Sequence, residues 1–285
     1  MTIVVTGATG HLGRLVVLAL LDRGVRAATI VATGRNIDKL ADLAARGVTI
    51  RHADYDDPAV LSVAFAGADK VLLVSAAELG RRVEQHGNAV DAARRAGAEL
   101  LAYTSAPRAD HTRLKLAAEH AGTETYIRKS GLPFVFLRNS WYIENYTARL
   151  ATQLDRGEVL GAAGDGRVSA ATRRDFAEAA AAVLVSPGQA GKVYELGGDD
   201  AFTLAQYAAE VSRQSGRPVT YRNLDVEEYT RTLIESGLPR QVAEVVADSD
   251  AAIARGELFT DSGDLCRLIN RPTTPLGRAV AAALR

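Results

Sequence analysis

The residues with the most evident chemical potential stand at the start of the chain, Thr6-Gly7-Ala8-Thr9-Gly10-His11-Leu12-Gly13. They follow the β-branched run Ile3-Val4-Val5 and lead into the helical spacing Leu12, Val16, Leu20, so the stretch reads as strand, glycine turn, helix. In such a turn Gly7 permits the tight bend, Gly10 lets the backbone approach a pyrophosphate, and Gly13 lets helix and strand pack closely. The phosphates then meet free N–H groups at a helix N-terminus, where the helix dipole also favours negative charge. His11 contributes there through its backbone N–H rather than its ring. The spacing is G-x-x-G-x-x-G rather than G-x-G-x-x-G, and its place directly between strand and helix is what points to a dinucleotide.

In an NAD site an acid near the end of the second strand accepts hydrogen bonds from the adenosine ribose hydroxyls. Here that position is Thr33-Gly34-Arg35-Asn36, which has no acid. A guanidinium pairs with a 2′-phosphate that a carboxylate would repel, so Arg35 argues for NADP(H) over NAD(H). Lys39 reads as a solvated helix residue able to add charge. Ligands of open parallel sheets lie across the carboxyl ends of the strands, which brings in the residues after each further strand. Asp54 and Tyr55 would line the adenine pocket. Ser75, Ala76 and Ala77 would pass the phosphates and nicotinamide ribose. Tyr103, Thr104 and Ser105 would lie below the nicotinamide.

The elements that must position these residues alternate regularly. After the first helix come a strand at residues 28–33, a helix carrying Ile37, Leu40 and Leu43, and strands at 48–53, 70–75, 100–104 and 134–137. Helices at 60–65, 81–96 and 114–130 lie between these later strands. Strands separated by helices imply βαβ units, hence an α/β fold with a doubly wound parallel sheet of Rossmann type. Past Arg138 the alternation fails: the spacing predicts a helix over 141–154, a glycine-rich loop at Gly161–Gly166, an alanine-rich helix at 174–184 and a strand at 192–196. Further helices are expected at 205–212, 226–233 and 242–254, with a short strand at 219–221. The expected organisation is a nucleotide-binding domain over residues 1–150 and a smaller mixed lobe over 151–285, some of whose strands rejoin the main sheet.

Composition narrows the function. The chain has 285 residues, 47% hydrophobic, with 34 basic and 34 acidic side chains. No basic run marks a nucleic-acid partner. No charged-then-apolar leader opens the chain, and no apolar run reaches the roughly 18 residues that span a bilayer, so a cytoplasmic protein without a membrane partner is expected. Cys266 is the only cysteine, which excludes an internal disulfide and a cysteine-based metal site, and it reads as a half-buried helix residue.

The strand–turn–helix opening and the Thr104-Ser105 pair resemble the short-chain dehydrogenase superfamily. Its usual catalytic pair is a Tyr with a Lys four residues later, yet none of the nine tyrosines here has one. The helix after Ser105 carries Leu114-Lys-Leu-Ala-Ala-Glu-His120 instead, so the acceptor must take hydride without a tyrosine acid. A more specific resemblance is to the NmrA-like branch of atypical short-chain dehydrogenases, and within it to the type 2 NAD(P)H:quinone oxidoreductases. It rests on Val5-Thr-Gly-Ala-Thr-Gly-His-Leu-Gly13, Gly34-Arg-Asn36, His52-Ala-Asp-Tyr-Asp-Asp-Pro58 and Ala102-Tyr-Thr-Ser105. Leu137-Arg-Asn-Ser-Trp-Tyr-Ile-Glu-Asn-Tyr146 is its specific block, and Gly161 to Asp175, Gly191 to Leu196, Gln214 to Tyr221 and Arg271-Pro-Thr-Thr-Pro275 extend it to the end of the chain.

The resemblance implies NADPH as hydride donor to a quinone, with no bound flavin and no metal, in a monomer or homodimer. Gly7 to Leu12 and Arg35 would hold the phosphates, Ser75 to Ala77 and Arg82 would line the cofactor, and Tyr142 to Tyr146, including Glu144, would close on the nicotinamide side. Arg173 or Arg174 would reach the same cleft from the second lobe. Because a quinone accepts hydride to give a resonance-stabilised hydroquinone anion, orientation outweighs acid help. Trp141, Tyr142 and Tyr146 would stack on a flat ring, Asn139 or Asn145 would hydrogen-bond the quinone oxygen or the nicotinamide amide, and His120 is either a proton source or structural. Two other readings stand beside this one: a non-catalytic NADP(H) sensor with a protein partner, and a reductase of another planar acceptor such as a cationic triarylmethane dye, against which an inward-facing arginine would count.

Overall fold

Short, fully buried strands such as Ile3-Val4-Val5 and Leu100 to Ser105 are stable only with helices on both sides of their sheet. That arrangement is found in the computed structural model, which describes residues 1–285. The first half runs β1 (Ile3–Val5), α1 (His11–Asp22), β2 (Ile30–Gly34), α2 (Ala41–Ala45), β3 (Thr49–His52), α3 (Pro58–Ala64), β4 (Lys70–Leu73), α4 (Arg82–Arg95), β5 (Leu100–Ser105), α5 (Lys115–Ser130) and β6 (Phe134–Asn139). It continues through α6 (Glu144–Thr147), α7 (Leu150–Arg156), β7 (Glu158–Gly161), α8 (Arg173–Val185), β8 (Val193–Leu196), α9 (Leu204–Ser215) and β9 (Thr220–Asn223). The chain closes with α10 (Val226–Glu235), α11 (Arg240–Ala254), α12 (Asp264–Ile269) and α13 (Leu276–Ala283).

Seven strands form one parallel sheet in the order β3-β2-β1-β4-β5-β6-β8. The order reverses between β1 and β4, so the carboxyl ends of these two strands frame a crevice. One sheet face carries α1, α8 and α12, with Leu12, Val16, Leu20, Phe176 and Leu265 in its core. The other carries α3, α4 and α5 over Leu61, Phe65, Val90, Ile127 and Phe136. Residues beyond 150 thus serve both parts: β8 extends the main sheet and α8 covers it, whereas β7 and β9 pair separately. Val159, Phe202, Tyr207 and Ile253 build a second core there. No helix is long and apolar enough to cross a membrane.

Several local expectations differ from the structure. The second strand starts at Ile30 because Ala27–Thr29 form a 3₁₀ turn, and another such turn, Ile37–Leu40, precedes α2. The single helix expected over 141–154 is interrupted. Ala171 donates to the Trp141 carbonyl (3.1 Å) and Ile143 donates to the Ala171 carbonyl (3.0 Å), so a bridge to the second lobe satisfies backbone groups that a helical turn would otherwise pair. Strand β7 runs into the first residue of the glycine-rich loop expected at Gly161–Gly166. Helix α13 was not anticipated. Cys266 lies half-buried in α12, as its surroundings suggested.

Candidate active site

A cleft of about 560 Å³ opens at the carboxyl ends of β1, β2, β4, β5 and β6. Its floor is the β1–α1 turn, where Gly7 takes a left-handed φ of +61°. A Cβ on Gly13 would lie 2.5 Å from the Gly7 carbonyl oxygen, so only glycine lets α1 seat against the turn. Gly10 caps α1 without a side-chain bond, and no acid occupies the first turn. The leading amides of α1 therefore remain available to an anion. Thr9, Gly10, His11 and Leu12 line the cleft. Ala8 lies behind them, its N–H donated to the Thr33 carbonyl (2.8 Å), which joins this turn to β2. Gly34 completes the join, since a Cβ there would meet the Thr9 side chain at 2.5 Å.

At the end beside β2 and β3 the lining includes Arg35, Asp54 and Tyr55. The exposed Arg35 guanidinium donates to Glu78 at 2.9 Å. Tyr55 donates to the Val74 carbonyl (2.8 Å), so its ring forms a wall with its hydroxyl already satisfied. Lys39 is exposed, and its carbonyl accepts from Arg14 outside the cleft. The loop after β4 brings Ser75, Ala76 and Ala77 to the middle of the cleft. Ser75 donates its N–H to Thr104 Oγ1 (2.9 Å), and Arg82 Nε donates to the Ala76 carbonyl (2.6 Å).

His86 fixes this loop in one protonation state. Its Nε2 accepts from the Ala76 N–H (2.9 Å), so Nδ1 carries the proton and faces Thr123 Oγ1 (2.9 Å). Burial, with the nearby charge of Arg82, pushes its pKa from 6.5 down to about 3. In that window the unfolded chain binds a proton that the folded protein refuses, so stability contributed by His86 is lost as pH falls. Burial acts in the same sense on His120 and in the opposite sense on Asp250, whose pKa rises from 3.8 to about 7. Comparison with a His86→Gln variant isolates the one residue. Denaturant titrations should show the stability deficit of that variant narrowing by about 1.4 kcal/mol per pH unit as pH falls through the window; a constant deficit would contradict a neutral His86.

The opposite end of the cleft is lined by Thr104, His120, Asn139, Trp141, Tyr142, Asn145 and Arg173. Asn139 Nδ2 donates to the Tyr142 hydroxyl (3.3 Å), leaving Asn139 Oδ1 buried without a partner. The Arg173 guanidinium lies 4.9 Å from the Tyr142 ring centre and donates to Asn145 Oδ1 at 2.9 Å. Arg174 turns outward to Glu178 (3.0 Å), so the inward member of the pair is Arg173. Glu144 lies behind the lining and accepts the Arg173 N–H at 2.9 and 3.1 Å. Tyr103 points to the opposite sheet face, where its hydroxyl meets His120 Nδ1 at 2.7 Å. Tyr146 points into the second core against Phe202 and Tyr207 rather than into the cleft.

The lining also contains Glu78, Gln85, Ala106, Pro107, Leu114, Leu116 and Leu258, which no motif in the sequence singles out. Ala106 and Pro107 directly follow the singled-out Thr104-Ser105 and lie within reach of the strand-end rule, whereas Gln85 comes from the first turn of α4, well past the end of β4. Leu258 enters from the second lobe with no local signal.

Comparison with known proteins agrees with this fold. The chain is 48% identical to quinone oxidoreductase 2 of Escherichia coli (strain K12) over 98% of its own length and 97% of that protein. The crystal structure of the E. coli NADPH-dependent quinone oxidoreductase complexed with NADPH superposes with a TM-score of 0.96 at 47% identity, covering 100% of both chains. The triphenylmethane reductase of Citrobacter sp., complexed with NADP(H), gives 0.93 at 38% identity, covering 99% of this chain and 100% of that one. The profile of the NmrA-like family matches residues 1–261. With its glycine turn, its doubly wound sheet and the Asn139–Tyr142–Arg173 cluster at the cleft's far end, the chain belongs to the NmrA-like family.

Proposed function

We propose that the protein is an NADPH-dependent reductase that passes hydride to a quinone or a similar planar conjugated acceptor. The observation that carries this reading is the cleft itself: uncapped helix amides and Arg35 toward one end, aromatic and apolar walls at the other, in a fold matched along its length by an NADPH-dependent quinone oxidoreductase. The residues fit the cofactor. The α1 amides suit the pyrophosphate, Arg35 the 2′-phosphate, and the unpartnered Asn139 Oδ1 an amide N–H of the nicotinamide. Arg35 favours NADP(H) over NAD(H).

When bound, the reduced nicotinamide supplies a hydride, so direct transfer calls for no flavin and no metal. Quinone, hydride and one proton together give the hydroquinone. Trp141 and Tyr142 flank the acceptor end and would hold a flat ring in line, with Leu114, Leu116 and Leu258 excluding water around it. Glu144 accepts only the backbone N–H of Arg173, while Asn145 holds its guanidinium, which would thus set a positive charge beside the oxygen where negative charge develops. Burial keeps His120 neutral. Its Nδ1 meets the Tyr103 hydroxyl at 2.7 Å, and in the tautomer where Tyr103 donates, Nε2 carries the ring proton as a hydrogen-bond donor. Tyr146 and Glu144 would support this wall from behind. The balanced charge of the chain offers no basic surface to nucleic acid, and the reading takes the enzyme as cytoplasmic, a monomer or homodimer without a membrane partner.

The reading is tested by following NADPH oxidation with a neutral naphthoquinone and with a cationic triarylmethane dye. Quinone turnover is expected to exceed dye turnover, because Arg173 repels a cationic acceptor. Arg173→Ala should lower quinone turnover about tenfold or more and narrow the preference over the dye. Tight NADPH binding without quinone turnover would refute the proposal.

A further inference from the structure

The strand-end position that carries an acid in NAD sites is occupied here by Arg35, but the structure brings a carboxylate to the same place from another strand. Glu78, in the loop after β4, receives the Arg35 guanidinium on Oε1 at 2.9 Å. Its other oxygen, Oε2, accepts from Gln85 Nε2 at 2.9 Å. Gln85 is only 2% exposed and also donates to Asp56 (3.2 Å), which in turn pairs with Arg81 at 2.8 Å. The Glu78 carboxylate is therefore aimed by two donors, one of them buried, and both Glu78 and Arg35 line the cleft.

We infer that Glu78 sets the cofactor selectivity of this cleft, competing with a 2′-phosphate for Arg35 and accepting the 2′-hydroxyl when the phosphate is absent. The inference rests on the proposed NADP(H) site and deepens it. A carboxylate in contact with the phosphate-binding arginine must be displaced before a 2′-phosphate can pair there, and once displaced it remains close enough to repel the two phosphate charges. A ribose bearing a free 2′-hydroxyl imposes no such cost. It can donate to Glu78, the interaction that acids at the end of β2 supply in NAD sites. Arg35 and Glu78 thus form a paired determinant: the arginine favours NADPH, and the carboxylate moderates that preference while retaining NADH.

Dissociation constants for NADPH and NADH, measured by quenching of the single tryptophan's fluorescence, test this on wild type, Glu78→Gln and Arg35→Ala. Glu78→Gln keeps the shape and removes the charge of a partly exposed side chain, so the fold should persist. NADPH should then bind about fivefold to tenfold more tightly, with the gain shrinking as salt is raised. NADH should bind about threefold to tenfold more weakly. Unchanged constants in Glu78→Gln, with wild type binding NADPH and Arg35→Ala weakening it, overturn the role of Glu78 alone. Failure of wild type to bind either nucleotide overturns the cofactor reading on which it rests.

Discussion

Replacing Arg138 with methionine is expected to lower the unfolding free energy by about 3–5 kcal/mol. Arg138, the penultimate residue of β6, is a buried side chain that forms a forked pair with Glu124, Nε to Oε1 at 2.9 Å and Nη2 to Oε2 at 2.7 Å. Its Nη1 also reaches Glu195 at 2.9 Å and Asp110 at 2.8 Å. Burial alone would favour loss of its charge, yet hydrogen bonds to Glu124, Asp110 and Glu195 outweigh it and raise the guanidinium pKa. The variant would leave Glu124, only 4% exposed, charged without its principal partner. Ser105, which lines the cleft, also donates to Glu124 (2.7 Å), so the loss would loosen the cleft floor as well. Denaturant titration measures the effect, and adding Glu124→Leu should recover most of it, because replacing both partners of a buried pair costs far less than orphaning one. A double variant as unstable as Arg138→Met would show that lost packing, not an uncompensated charge, dominates.

Arg35→Ala is expected to have the largest effect on binding. The guanidinium is about two-thirds exposed and is held only by Glu78, so its removal should leave the fold intact. Charge-assisted bonds to a phosphate are worth about 1.5–3 kcal/mol, so the dissociation constant for NADPH should rise roughly tenfold to a hundredfold. That for NADH should change by less than about threefold, since no charge pair to a phosphate is lost. Equal weakening for both nucleotides would place the 2′-phosphate elsewhere.

The parts of the site legible in the sequence were those set by local spacing or by strand order. Gly7, Gly10 and Gly13 declare a turn because each has a local steric reason, and Ser75 and Thr104 follow from where their strands end. The break after Trp141 was not legible, because its cause is the backbone of Ala171, far along the chain. The direction of Tyr146 was hidden for a similar reason: a helical periodicity through Trp141 places it beside the other aromatics, whereas the interrupted backbone turns it toward Phe202. Tyr103 and Thr104 adjoin in sequence but face opposite sides of β5, as successive strand residues must. Choosing which one meets the cleft required the helix layers. Glu78 escaped notice because the acid was sought at the end of β2, while the fold supplies it from the loop after β4. The choice between Arg173 and Arg174 likewise awaited the contacts with Tyr142, Asn145 and Glu178.

Whether hydride passes directly at the Trp141–Tyr142 end of the cleft is read out by a single-turnover experiment. Enzyme freed of any flavin is loaded with NADPH, mixed with a naphthoquinone, and the reduced-nicotinamide absorbance is followed for normal and C4-deuterated cofactor. One NADPH should be consumed per quinone, more slowly with deuterium, and equally well whether or not flavin is added. Absence of oxidation until flavin is supplied, or no oxidation at all by an enzyme that binds NADPH, would contradict direct transfer.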